Sequence, residues 1–233
     1  ALPGWPFYII HIGRPICGGH YQGGKSMIKS IEKCIAIVNE YREAVSRYKE
    51  KCNEKKRKYE DGLIGKKQLR TDIEMLGQEM EKKAEKYKEQ YQEAYQNAIE
   101  ATRKAIITPK YISDTGFKDA IEAIENSKGA YDGDPGVLRG MFEKYLDDYA
   151  ARKKIADTLD KYTALKSAFF HINTENPLYY LQSLQPMSEF EFSSWGDQVG
   201  SLSSNAKLVE RLENAIAIAE GEEILYLSRS ITF

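Results

Sequence analysis

From Ile31 to Tyr59 the seam positions are Ile31, Cys34, Val38, Tyr41, Val45, Tyr48, Cys52, Lys55 and Tyr59. Steps of three and four alternate throughout, and only Lys55 departs from apolar character. That spacing is the heptad signature of a helix that presents one narrow face to a partner helix. A second run follows at Leu69, Ile73, Leu76, Met80, Ala84, Tyr87, Tyr91, Ala94, Ala98, Ala101 and Ala105. The two successive steps of four from Leu76 to Ala84 form a stutter, which locally straightens a supercoil.

Asp61-Gly62-Leu63-Ile64-Gly65 separates the runs. Gly62 suits the left-handed position after a helix end, and Gly65 can open the next helix. The pattern therefore predicts two antiparallel helices, a coiled-coil hairpin over 27–107, in which residue i faces roughly residue 127 minus i. Each arm would be on the order of 50 Å long. Cys34 and Cys52 lie on one seam about 27 Å apart along the axis, so they read as small core residues and not as a disulfide.

Thr108-Pro109 ends the second run, because proline lacks the donor that a continuing helix needs. Beyond it the pattern shortens. A helix carrying Phe117, Ile121 and Ile124 can be capped by Ser113, Asp114 or Thr115 and stops at Gly129. A long helix is expected from Asp134-Pro135 to about His171, and a last one from about Asn205 to Glu220. Ile224-Leu225-Tyr226-Leu227 is a strand candidate that would need a partner. The predicted fold class is mainly α: the hairpin, then a smaller helical region over 108–233 with irregular loops and at most one or two short strands.

Charge adds a polarity to this outline. Residues 28–107 carry 19 basic against 15 acidic side chains, residues 108–233 carry 13 against 20, and the whole chain nets −1. The near-neutral total is a cancellation between a basic hairpin and an acidic remainder, which can attract each other or different partners. No apolar run reaches the roughly 18 residues needed to span a bilayer. Three cysteines without a CxxC pair provide no disulfide framework, and three scattered histidines provide little for a metal site. No metal or cofactor is expected.

Two motifs carry candidate chemistry. The hairpin tip holds Lys49, Lys51, Lys55, Lys56, Arg57 and Lys58 before the turn and Lys66, Lys67 and Arg70 after it. Lys55, Lys56, Arg57, Lys58, Lys66 and Lys67 could contact phosphates and give salt-sensitive nucleic-acid binding. The competing reading is a solvated tip interleaved with Glu50, Glu54, Glu60 and Asp61, and no aromatic stacking motif accompanies the cations.

The second motif is Gly19-His20-Tyr21-Gln22-Gly23-Gly24-Lys25-Ser26, which fits G-x-x-x-x-G-K-[ST]. Over these eight residues it resembles the loop of P-loop nucleoside triphosphatases. The resemblance implies Gly19 and Gly24 shaping the loop, Lys25 on the β and γ phosphates, and Ser26 on magnesium. Context opposes it, because about eighty residues of heptad-patterned helix follow where further βα units and a Walker B strand would be needed.

The same letters have another reading. Gln22 to Met27 back-translates as CAA GGA GGA AAA TCA ATG, which contains a bacterial ribosome-binding sequence before an ATG codon. Residues 1–26 also hold three of seven prolines, six of seventeen glycines and two of three histidines. We expect Met27 to be the start, with 1–26 translated upstream DNA; a genuine N-terminal segment is the alternative.

The carboxylates Asp147, Asp148, Asp157 and Asp160 stand beside Arg152, Lys153, Lys154 and Lys161, and ion pairs on a wet helix face account for them. The functional expectation is a noncatalytic structural or protein-interaction protein, bacterial or bacteriophage, with an assembly, structural or inhibitor role. It would act through helical surfaces, by binding a protein partner or by self-association, without a membrane, in the cytoplasm or in a virion. Nucleic-acid binding at the tip and a P-loop enzyme are the alternatives.

Overall fold

A computed structural model describes residues 22–126, 140–162, 172–185, 192 and 200–221. The protein is mainly helical, and among the described residues there is no strand. The strand candidate at 224–227, the histidines at 11, 20 and 171, and the loop at 131–136 lie outside the described residues.

Two long helices dominate: α1, Gln22–Glu60, and α2, Lys66–Ile107. Their direction follows from their contacts. The Tyr41 ring meets that of Tyr87 edge-on at 5.9 Å, and Lys55 Nζ meets Asp72 Oδ2 at 2.8 Å. One helix therefore ascends as the other descends, with pairs that sum to about 127. Gly62, at φ +72°, closes α1, where Leu63 N donates to Lys58 O (2.8 Å) and Gly62 N to Tyr59 O (3.0 Å). This is the left-handed glycine stop that satisfies the last carbonyls of a helix. Gly65, in extended backbone, then opens α2. At the other end Thr108, before Pro109, is the C-cap of α2.

Burial along the seam is uneven. Ile31, Cys34, Val38, Tyr41, Val45 and Cys52 are buried on α1, as are Met80, Ala84, Tyr91, Ala94 and Ala98 on α2. Between residues 53 and 79 no residue is buried: Lys55, Leu69, Ile73 and Leu76 are only half-buried, and Tyr59 is exposed. Among the described residues the pair thus runs on past the core as a thin arm, on the order of 15 Å beyond its last buried seam residues.

The core at the root of the arm is thicker than a two-helix seam. Two further helices pack onto it. Among the shorter helices, α3 is Thr115–Asn126, α4 is Tyr149–Leu159, α5 is Pro177–Ser183 and α6 is Gly200–Glu220. α6 packs on α1, and its Leu208, Leu212, Ala215, Ile216 and Ala219 join the core that α1 and α2 begin. α5 packs on α2, where Tyr95 donates its hydroxyl proton to the carbonyl of Leu181. Tyr95 is buried there beside the heptad seam, and Ile99 and Thr102 of the same helix are buried as well. Phe192 fills the level of Tyr41 and Tyr91, with ring centroids 4.9 and 5.3 Å away.

A second core gathers Phe117, Ala120, Ile121 and Ile124 of α3 with Phe142, Tyr145, Ala151, Ile155 and Leu159. Asp114 caps α3, accepting from Phe117 N at 2.9 Å. The continuous helix expected from Asp134 to about His171 is not what forms. A helical turn at 140–143 gives way to turns at 144–148, and α4 starts afresh and ends at Leu159. Asp148 is the physical reason: its buried carboxylate accepts from Ala151 N (3.0 Å) and from the backbone N–H of Lys110, so it caps a new helix and pins the α2–α3 connection.

Arg152 joins the two cores. It is fully buried, and Nη1 donates to Leu146 O (2.7 Å) and Ala219 O (3.0 Å) while Nη2 donates to Ile218 O (2.8 Å). A cation at the carbonyl end of α6 satisfies groups that the helix cannot satisfy itself.

Candidate functional site

The far end of the arm is the most polarised surface among the described residues. Residues 49–72 hold nine basic and five acidic side chains, a net of +4. The six cations singled out for phosphate contact divide into two groups. Lys55 is half-buried and bridges to Asp72 across the helix pair at 2.8 Å, and Lys58 pairs with Glu54 at 2.6 Å. Hydrogen bonding from Lys58 holds the Glu54 carboxyl below its ordinary range, and bonds from Lys55 and then Gln68 do the same for Asp72. Reciprocally, Asp72 raises Lys55. These two lysines are engaged in holding the arm together.

Lys56, Arg57, Lys66 and Lys67 are exposed and have no ion pair among the described residues. The same stretch exposes large apolar side chains: Leu63 is 72% exposed, Met75 64% and Tyr59 42%. The cations stand out in the sequence, whereas this apolar component does not. Leu63 was legible as a turn residue, but Met75 sits one position off the seam, between Ile73 and Leu76, and its exposure depends on how the helices are rotated.

The P-loop residues are placed differently. α1 begins at Gln22, so Gly24, Lys25 and Ser26 fall inside its first turns, and Gly19 lies outside the described residues. Among the described residues no group of three or more His, Cys, Asp or Glu side chains is positioned to share a metal ion. No described helix is long and apolar enough to cross a membrane.

Cys34 and Cys52 are free thiols, both buried. Burial pushes the Cys34 thiol up to about 12, far from thiolate character at neutral pH. The chain matches no family model, no curated protein and no solved structure.

Proposed function

We propose that the protein is a noncatalytic structural or interaction protein, of bacterial or bacteriophage origin, that docks a protein partner along a coiled-coil hairpin formed by α1 and α2. The observation that carries this reading is the unburied stretch from 53 to 79, which projects past the core with Leu63, Met75 and Tyr59 exposed. A two-helix arm with only a half-buried seam gains little from its own packing, and most helical stability comes from tertiary burial of an apolar face. Exposed apolar side chains rimmed by charge are the composition of a docking surface. In this reading 27–107 is the docking unit and the acidic region 108–233 buttresses its root.

A second reading is supported by Lys56, Arg57, Lys66 and Lys67, exposed and without ion pairs: the tip binds nucleic acid through phosphate contacts. It is weakened by the engagement of Lys55 and Lys58 with Asp72 and Glu54, and it leaves Leu63 and Met75 without a role.

Affinity capture from the native host separates the two, using the wild-type protein and the double variant Leu63→Asp, Met75→Asp. Both positions are exposed, so the variant keeps its melting temperature. A protein enriched by the wild type and lost from the variant supports docking. Enrichment of nucleic acid that disappears with rising salt, unchanged in the variant, contradicts it.

A further inference from the structure

Just beyond the Tyr41–Tyr87 contact, toward the turn, an open groove of about 350 Å3 lies between α1 and α2. Its floor is apolar, made by Tyr48, Leu76 and the buried Met80. Its rim is cationic, made by Arg47, Lys51 and Lys83, with Glu79 as the one carboxylate in the lining. Glu79 is already bonded to Lys83 at 2.6 Å, so the groove keeps a net positive charge. Arg47 pairs with Glu43 at 3.0 Å, but both side chains are about 70% exposed, and such a pair is held weakly enough to be exchanged.

We propose that this groove receives an acidic amphipathic helix from a partner protein, laid along α1 and α2. The inference rests on the reading of the α1–α2 pair as the docking element, and it places the partner at the base of the arm, where the pair leaves the core, and names what chemistry it carries. Lining residues recur once per turn over two turns of α1, at 44, 47–48 and 51, and over three turns of α2, at 76, 79–80, 83 and 87. These lengths of about 10 and about 16 Å accommodate the reach of anchors at i, i+3 or i+4, and i+7 of a helix in a groove. Nearer the root a helix already packs in a related way, where α6 lays Leu208, Leu212, Ala215 and Ala219 against α1 in the core that α1 shares with α2. Charge selects the occupant. The arm of a second copy would bring its own +4 against Arg47, Lys51 and Lys83 and is repelled, whereas carboxylates flanking an apolar stripe are attracted.

Fluorescence anisotropy with the full chain and two synthetic helices tests this. Both probes are about 20 residues long with leucine at the anchor positions; the flanking positions are Glu in one and Lys in the other. The wild type should bind the Glu peptide about tenfold or more tighter than the Lys peptide, and Lys51→Glu with Lys83→Glu should reverse that order. A reversal of preference is not a result that misfolding produces. Equal affinity for the two peptides, or an order unchanged by Lys51→Glu with Lys83→Glu, overturns the inference. The tip pair Lys66→Glu, Lys67→Glu distinguishes the two levels of the account. Binding that depends on the tip pair and not on the groove pair removes the groove and leaves the arm as docking element, and binding indifferent to both removes both.

Discussion

The guanidinium of Arg152 occupies the space that a side chain on Gly221 would need. A Cβ built on Gly221 falls 2.6 Å from Arg152 Nη1, 2.8 Å from its Cδ and 2.8 Å from the carbonyl oxygen of Leu146. Gly221 also has φ +78°, so the residue that ends α6 is glycine both for its backbone and for the close approach of the arginine.

Gly221→Ala should therefore be costly in two ways, through the left-handed backbone and through displacement of Arg152 from the carbonyls it serves. A loss of about 2–4 kcal/mol in urea denaturation is expected. Gly62 supplies the internal comparison, because its φ is +72° yet a Cβ there meets nothing within 4 Å. Gly62→Ala should cost only the backbone part, about 1 kcal/mol. Equal losses at the two sites would show that Arg152 is free to move aside.

Arg152 itself carries a buried charge. Desolvation lowers its pKa to about 10, partly opposed by Asp148, and it remains protonated at neutral pH. Arg152→Met leaves the carbonyls of Leu146, Ile218 and Ala219 without these donors and should destabilise the fold by about 3–5 kcal/mol. Arg152→Lys keeps the charge and loses the forked geometry, so it should recover only part of that loss. Thermal melts of the three proteins check the order.

How far this was legible in the sequence depends on the kind of signal. The buried half of α1, from Ile31 to Cys52, stands in the spacing alone, because a 3,4 alternation leaves a helix one apolar face. Tyr95, Ile99 and Thr102 were not legible as core. They lie beside the seam, and Tyr95 meets α5, distant in sequence, through its bond to Leu181. The break before Tyr149 was hidden for a related reason: Leu138, Phe142, Tyr145 and Tyr149 keep helical spacing across it, and Asp148 decides the matter by accepting backbone donors from Lys110 and Ala151. At the tip, composition located the cations but could not tell Lys55, which faces Asp72, from Lys56, which faces water.

Acid should loosen the arm before the core. Glu54, Asp72 and Glu79 are each held below their ordinary range by a lysine, Lys58, Lys55 and Lys83 in turn. Their folded pKa values lie below the unfolded ones, so their contribution is present above the unfolded values and is lost as pH falls through the folded ones. The window runs from about pH 4 downward. Hydrogen exchange of amides in residues 53–79 should accelerate in this window relative to residues 84–99, beyond the intrinsic pH dependence of exchange. Parallel behaviour of the two segments would contradict the assignment. High salt at neutral pH should have the same direction of effect, since these pairs are exposed or partly so.

The cysteines provide a measure of root packing. Cys34 is fully buried with its thiol shifted up, and Cys52 is 8% exposed. Native protein should react slowly with a thiol reagent at Cys34, by a factor of roughly a hundred or more relative to urea-unfolded chain, as expected when reaction waits on opening. Fast native labelling of Cys34 would mean that α1 and α2 separate readily at their root.

The central claim is that the arm is where a partner sits, and site-specific photocrosslinking in cells expressing the native gene tests it most directly. A photoreactive side chain is placed singly at Leu63, at Met75 and at Tyr179, the last an equally exposed position, at 71%, on α5. The account predicts one discrete protein adduct shared by Leu63 and Met75 and absent at Tyr179. Adducts at all three positions alike, or a discrete adduct at Tyr179 only, would contradict it.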